Sequence, residues 1–328
     1  MNHLIYKLQF ATALHIGNDT GSATLASAEM TVHSDTLFSA LCIEALQLGG
    51  EKLLHELYEK SKTGKIGFSD LFPYKKETYY LPRPILNIES NITERDPKKS
   101  KEYKNLKYIP SNRFADYLAS LQGQAEFDVK AVNKDISSLG ASEGRQCVSI
   151  KRETEPQPYY VGCFKFKPDA GLYFIVTYTD EEDIDFITRI MESLALSGIG
   201  GKRSAGLGKF ILDDPIFLDA PYSEGLEALA SLLNNDNSTQ QMLLNLALPQ
   251  DHELDQACSE GHYMLVRRGG FVQSDTYWHH QLKKKLLYAF APGSCFKSAF
   301  QGDIYDVSNK ANHKVYRYLK PMFMGVNI

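Results

Sequence analysis

No stretch of this 328-residue chain approaches the roughly 20 consecutive apolar residues that a membrane-spanning helix needs. The start, Met1-Asn-His-Leu-Ile-Tyr-Lys-Leu8, reads as a strand and not as a cleavable signal. The expectation is a cytoplasmic globular protein with no membrane contact and enough apolar residues for two cores. Cysteine is scarce and scattered. Cys42, Cys147, Cys163, Cys258 and Cys295 are odd in number and form no CxxC pair, which argues against a disulfide framework or structural zinc and for free buried thiols. A GxSxG elbow, an HExxH segment and a paired-carboxylate motif are also missing, and the adjacent His279 and His280 would point apart on a strand. No metal site is expected.

Lys and Arg are absent from Phe210 to Val266, a segment carrying ten acids from Asp213 to Glu260. The formal net charge of -4 therefore hides a segregation. Between Arg95 and Arg113, seven cations (Arg95, Lys98, Lys99, Lys101, Lys104, Lys107, Arg113) stand against Asp96 and Glu102. From Arg267 onward, ten Lys or Arg stand against Asp275, Asp303 and Asp306. The pattern suits a basic face that meets phosphates and an acidic face for solvent or a basic protein partner. Each run taken singly also fits a merely solvated surface.

Glycine is concentrated in one place. Gly198-Ile-Gly-Gly-Lys-Arg-Ser-Ala-Gly-Leu-Gly-Lys-Phe210 holds five glycines and three cations between a predicted helix and a predicted strand. Glycine permits positive φ and close backbone approach, and successive N–H groups form an anion-holding concavity. Lys202 adds a point charge and Arg203 a forked one. A polyanion suits such a loop. A P-loop would need Gly at Leu196 and Ser or Thr at Arg203, and the dinucleotide fingerprint would need Gly at Arg203, so no ATP, NAD or other cofactor is expected. The simpler alternative is a helix C-cap at Gly198 followed by a flexible hairpin.

His3 to Leu14 partly alternates and reads as a first strand. Ser34 to Leu48 reads as a first helix, with Ser34 as N-cap candidate and a Gly49-Gly50 stop. Gly171 to Thr179 reads as a strand, and Glu181 to Leu196 as a helix with Ile184, Ile187, Met191 and Leu194 on one face. With a strand around Leu207 to Leu212, these fit a ferredoxin-like βαββαβ sheet in which the glycine loop joins the second helix to the last strand. Residues 75–160 hold the basic block, several prolines and little periodicity, and read as a long loop-rich insertion, partly mobile before a ligand binds. The second half shows strand patterns at Gln241 to Leu248, His262 to Arg267, Leu286 to Ala291 and Lys314 to Tyr318, with a short helix at Gly225 to Leu233. The predicted fold is α+β, with two ferredoxin-like (RRM-like) domains: 1–213, which includes the insertion, and 214–328.

These features resemble the repeat-associated RNA-binding proteins of CRISPR systems, built from ferredoxin-like domains with a glycine-rich loop after the last helix. The similarity is closest to the subunit-four family of the type III-A Csm effector complex, along almost the whole chain. It is carried by Leu14-His-Ile-Gly17, Ser34-Asp-Thr-Leu-Phe-Ser-Ala-Leu41, Tyr80-Leu-Pro-Arg-Pro84, Ile150-Lys-Arg-Glu-Thr154, the glycine loop, Arg267-Arg-Gly-Gly270 and Val315-Tyr-Arg-Tyr318. Gln146-Cys-Val-Ser-Ile-Lys-Arg152 departs from the Asn-x-Ile-Asp-Arg-like run usual in the family.

The resemblance implies a non-catalytic subunit in antiviral defence, with no catalytic residue of its own. It would grip the repeat-derived 5′ handle of a mature CRISPR RNA (crRNA) and cap one end of the complex. Its partners would be the large polymerase/cyclase-like subunit and the first backbone subunit, met through the acidic face and the insertion. The RNA would lie across Gly198, Gly200, Gly201, Lys202, Arg203, Ser204 and Gly206. Arg152, Thr154, Arg267 and Arg268 would close over it, and Tyr159 or Tyr160 would stack on a base.

A related branch cuts precursor RNA with a first-domain histidine, which draws attention to His15 and His33. His15 ends a strand near the loop and can donate a hydrogen bond to RNA, whereas a general acid or base needs a positioned partner that the sequence does not show. In the processing nucleases the glycine loop lies near the C-terminus, while about 120 residues follow it here. Asp35 stands at a helix start, where a carboxylate complements the dipole and the orphan N–H groups; Asp19 precedes it in a loop. Three readings stay open: an RNA-binding assembly subunit, a metal-independent RNA-processing endonuclease on the same fold, and a protein-interaction scaffold without RNA.

Overall fold

Strand β1 (Asn2–Phe10) turns Leu4, Tyr6 and Leu8 into one core and Ile5 into another. A strand apolar on both faces belongs inside a sheet that is covered twice. It takes that place in the computed structural model, which describes residues 2–17, 25–86, 97–151, 154–235, 238–259, 261–274, 277–280, 282–309 and 312–327. In chain order there follow α1 (Ser34–Lys62), β2 (Ile66–Phe68), β3 (Phe72–Lys75), β4 (Thr78–Pro82), α2 (Pro97–Asn105), β5 (Tyr108–Pro110), α3 (Phe114–Leu121) and α4 (Val129–Ser137). Next come β6 (Gly140–Lys151), β7 (Thr154–Phe166), β8 (Ala170–Tyr178), α5 (Glu181–Ser197), β9 (Phe210–Leu212) and β10 (Ile216–Phe217). The second half adds α6 (Glu224–Leu233), β11 (Gln240–Leu243), α7 (Leu254–Ser259), β12 (Leu265–Arg268), β13 (Leu287–Phe290), β14 (Cys295–Phe296), β15 (Ile304–Asp306), β16 (Tyr316–Tyr318) and β17 (Phe323–Val326).

The main sheet runs β10-β1-β8-β3-β4-β5, with β9 also on β1 and β2 also on β8. β1 pairs antiparallel with β8 from Asn2↔Tyr178 to Leu8↔Leu172, and with β9 through Phe10↔Phe210. With α1 and α5 these strands form the predicted βαββαβ unit. Both helices cover one face, where Phe38, Leu41, Ile187 and Leu194 pack on Phe174 and Val176. On the other face Ile5, Tyr173 and Ile175 share a core with Leu226 and Leu229 of α6 and with Met242 and Met324. Residues from both sides of position 213 thus pack into one core.

Three local differences from the sequence pattern have physical causes. The Gly49-Gly50 stop is a kink: helical geometry breaks at Gly50 (φ 65) and a further helical stretch runs to Lys62. Residues 75–160 are more regular than a loop-rich insertion, containing α2, α3, α4 and the hairpin β6–β7, paired from Gly140↔Phe166 to Lys151↔Thr154. Periodicity is blind there because Pro97–Asn105 has no apolar stripe and the hairpin is exposed over much of its length. The second half is α+β, but its described strands lie in small sheets, β14-β11-β17, β12-β13 and β15-β16, and not in one four-stranded sheet. Pro292 stands between β13 and β14 and Pro321 between β16 and β17, where a residue without an N–H cannot extend a ladder.

Candidate nucleic-acid interface

α5 ends at Gly198, which takes φ 83 and donates its amide to Leu194 O at 2.7 Å. The C-cap alternative is therefore realised, and the loop after it is bonded at several points. Ile199 N donates to Gly208 O (2.9 Å), Gly201 N to His15 O (2.8 Å) and Gly208 N to Ala13 O (2.9 Å). Gly200 has φ 92, and a Cβ there would stand 2.6 Å from His15 O, a contact only glycine avoids. Lys202 adopts the left-handed region and opens a single 3₁₀ turn, Arg203–Ala205, closed by Gly206 at φ 80. Among the described residues the amides of Lys202, Arg203 and Ser204 donate to no acceptor. Three successive uncommitted N–H groups are the raw material of an anion-binding concavity.

Lys202 Nζ lies 5.1 Å from the centroid of the Tyr159 ring and 3.4 Å from its hydroxyl. Tyr160, the next residue on β7, faces the other way and is 56% exposed. Arg203 turns inward, its Nη1 3.5 Å from Glu44 Oε1. Ser204 is exposed.

Beside the loop opens a cleft of about 950 Å³. His15, Gly200, Gly201 and Arg203 line one side, His33 and Thr36 the start of α1, and Arg267 to Phe271 with Lys284 the second half. A recess of about 500 Å³ shares Gly200, Gly201 and Arg203 with the cleft and adds Lys202 and Ser204. The structure thus brings together the predicted loop residues, His15, Arg267 and Arg268. It does not bring Thr154 to them: Thr154 opens β7 at the hairpin tip, five residues and so about 17 Å of strand beyond Tyr159. Arg152 and Asp19 lie outside the described residues.

Arg267 and Arg268 are neighbours on β12, so their side chains leave on opposite faces. Arg267 is exposed and has no ion-pair partner among the described residues. Arg268, expected over the RNA, is instead turned inward. Its Nε donates to Asp35 Oδ2 at 3.0 Å and its Nη2 to Asp35 Oδ1 at 2.8 Å. Arg317 joins them, with Nη1 3.4 Å from Asp35 Oδ2 and Nη2 donating to Gly269 O at 2.8 Å. Burial by itself would raise the Asp35 carboxyl, but the Arg268 and Arg317 charges and the Arg268 hydrogen bond hold it well below the usual carboxylate range. Lys284, on the same wall, is lowered by burial and by the neighbouring Arg317 charge. A first-turn acid is legible in sequence; its two arginines, more than 200 residues away, are not.

His15 is buried, with Nδ1 2.6 Å from Gly162 O. A carbonyl only accepts, so Nδ1 carries a proton and donates it to Gly162 O. His33 Nδ1 donates to Asp70 Oδ2 at 2.5 Å. Asp70 Oδ1 accepts from Ser34 N (2.8 Å) and Leu246 N (3.2 Å), so Asp70 supplies the N-cap of α1 that Ser34 was expected to provide and ties the second half to it. No sequence signal pointed to Asp70. Among the described residues no group of three His, Cys, Asp or Glu stands where it would hold a metal ion.

Comparison with known proteins fits this geometry. Residues 7–211 match the RAMP superfamily and residues 236–326 the CRISPR Csm4 C-terminal domain. The CRISPR system Cms protein Csm4 of Mycobacterium tuberculosis is 34% identical over 331 residues, covering 99% of this chain and 98% of that protein. The chain belongs to the Csm4 family of the RAMP superfamily. The Streptococcus thermophilus member is 30% identical over 341 residues, covering 100% of both. The fold is shared with a chain of a Csm3-Csm4 subcomplex of the type III-A CRISPR-Cas interference complex (TM-score 0.66, 19% identity, 100% of both chains). It is also shared with a chain of a Csm1-Csm4 cassette in complex with pppApA (TM-score 0.60, 18% identity, 100% of this chain and 99% of that one).

Proposed function

We propose that this Csm4-family chain is a non-catalytic RNA-binding subunit of a type III-A CRISPR effector complex acting in antiviral defence. It binds the repeat-derived 5′ handle of crRNA and joins the large polymerase-like subunit to the backbone subunits. The observation that carries the RNA assignment is the cleft itself. Lys202, Arg203 and Ser204, whose amides are uncommitted, line the recess, and the exposed Arg267 lines the groove that adjoins it, built from both halves of the chain. Amides and cations lining one groove and its recess suit a flexible phosphate backbone. The partner assignment is supported by solved relatives named as Csm3-Csm4 and Csm1-Csm4 assemblies.

The test is to purify the tagged chain from cells carrying its native neighbours and to sequence the accompanying RNA. Short RNAs sharing one constant 5′ segment followed by variable sequence are expected. A stable assembly without RNA would overturn the assignment and favour a scaffold.

One observation favours the endonuclease reading enough to test it: His33, oriented by Asp70, and His15 line the same cleft. That reading requires repeat RNA to be cut in the presence of a chelator, with cutting lost in His15→Ala or His33→Ala. The proposed function requires intact RNA in all three proteins.

A further inference from the structure

Glu44, on α1, is wholly buried beneath the glycine loop. Its Oε2 accepts hydrogen bonds from Ser193 Oγ (2.7 Å) and Ser197 Oγ (3.0 Å), both in the last turns of α5. Its Oε1 has no hydrogen-bond partner among the described residues and faces Arg203 Nη1 at 3.5 Å. A carboxylate removed from water persists only where cations and donors compensate it. The serines supply two donors, and the loop supplies the charge. Arg203 in turn has only 17% of its side chain exposed, and its Nη1 also stands 3.5 Å from Gly198 O. The forked cation that a sequence reading aims at phosphate is therefore held under the loop. Lys202, one residue earlier, rests on the ring of Tyr159.

We propose that Glu44 is a positioning residue of the RNA site, holding Arg203 as a strut beneath the loop. In that role Arg203 sets the direction of the Lys202, Arg203 and Ser204 amides, while Lys202 and Arg267 supply the charge that meets phosphate. The assignment rests on the RNA-binding reading of the cleft. It differs from an ordinary buried pair because three elements meet at one carboxylate: α1, the end of α5 and the ligand-facing loop. Loss of the carboxylate frees the loop without removing a cation from the surface. A phosphate contact and a strut are therefore separable by salt dependence, since each contact neutralised contributes to the slope of affinity on salt and a strut does not.

Two measurements on the full chain test this. Hydrogen exchange of the free protein is followed at the bonded amides of Ile199, Gly201 and Gly208. Binding of a fluorescein-labelled single-stranded RNA from the host's own CRISPR repeat is measured over a series of KCl concentrations. Glu44→Gln is expected to speed exchange at those amides about tenfold, with the interiors of β1 and β8 unchanged. The double variant Glu44→Gln with Arg203→Gln, which leaves no unpaired buried charge, is expected to loosen the loop in the same way. It should weaken binding about threefold to tenfold at every salt concentration and keep the wild-type slope. Lys202→Ala is expected to lower the slope by about 0.7, the share of one single-strand phosphate contact, with loop exchange unchanged. Unaltered loop exchange in both Glu44 variants overturns the proposal, as does a slope loss of about 0.7 in the double variant, which would make Arg203 a phosphate contact. If the wild type shows no salt-dependent affinity, the RNA reading of the cleft fails, while the exchange result still decides whether Glu44 fixes the loop.

Discussion

Asp35 and Arg268, 233 positions apart in the chain, meet in a two-point ion pair with bonds of 3.0 and 2.8 Å. The pair fastens the start of α1 to β12, and Arg317 completes it from β16. Because the cluster is buried, removing Asp35 leaves Arg268 and Arg317 without their carboxylate, whereas removing Arg268 leaves Asp35 with Arg317 alone. Asp35→Asn is expected to lower stability by about 3–5 kcal/mol and Arg268→Ala, which leaves Asp35 its Arg317 partner, by less. The double variant should lose less than the sum of the two. Urea denaturation of the four proteins measures this, and simple additivity would show that the pair is not coupled.

The same pair sets an acid limit. An unfolded Asp titrates near pH 3.9, and Asp35 in the fold titrates lower still. Between those values the unfolded chain binds more protons than the folded one, so stability rises with pH across that window. Asp35 therefore contributes fully above about pH 5, and its contribution disappears as the pH falls through the folded value. The urea midpoint of the wild type is expected to drop more steeply from about pH 5 to pH 3 than that of Asp35→Asn. Parallel curves would remove Asp35 from the account.

Adjacent arginines should behave as different kinds of residue. Arg267→Ala is expected to change stability by no more than about 0.5 kcal/mol, as a surface substitution does, and to lower the salt slope of RNA binding by about 0.7. Arg268→Ala is expected to destabilise the fold with no loss of slope in the protein that remains folded. Thermal melting beside salt titration separates the two.

Two glycines of the loop give a graded test. At Gly200 a methyl group would stand 2.6 Å from His15 O at φ 92, while at Gly206 nothing lies within 4 Å. Gly206→Ala carries the left-handed penalty alone, about 1 kcal/mol. Gly200→Ala adds the clash and is expected to cost about 1–3 kcal/mol and to displace the loop. RNA affinity should therefore fall further in Gly200→Ala than in Gly206→Ala. Equal losses would mean that the contact between the loop and His15 does not matter.

Much of the βαββαβ unit is legible in the sequence because its pattern is local: β8 is a continuous apolar run, and Ile184, Ile187, Met191 and Leu194 recur at helical spacing on α5. The glycine loop is legible for the same reason. What escapes are partners supplied from far away in sequence: Asp70 for Ser34, Arg268 for Asp35, Arg203 for Glu44. Spacing tells which face a side chain takes, not what will stand opposite it. For Arg267 and Arg268 even the spacing carries information, since strand neighbours point apart. The β6–β7 hairpin escapes because mostly exposed strands carry little apolar alternation.

The most direct test of the central claim is ultraviolet crosslinking of the native effector complex followed by mass spectrometry of the crosslinked peptides. The account predicts adducts between the constant 5′ segment of the RNA and peptides containing Lys202 to Ser204 and Arg267 to Phe271. Adducts of that segment confined to other subunits, or to the acidic stretch from Asp213 to Glu260, would contradict it.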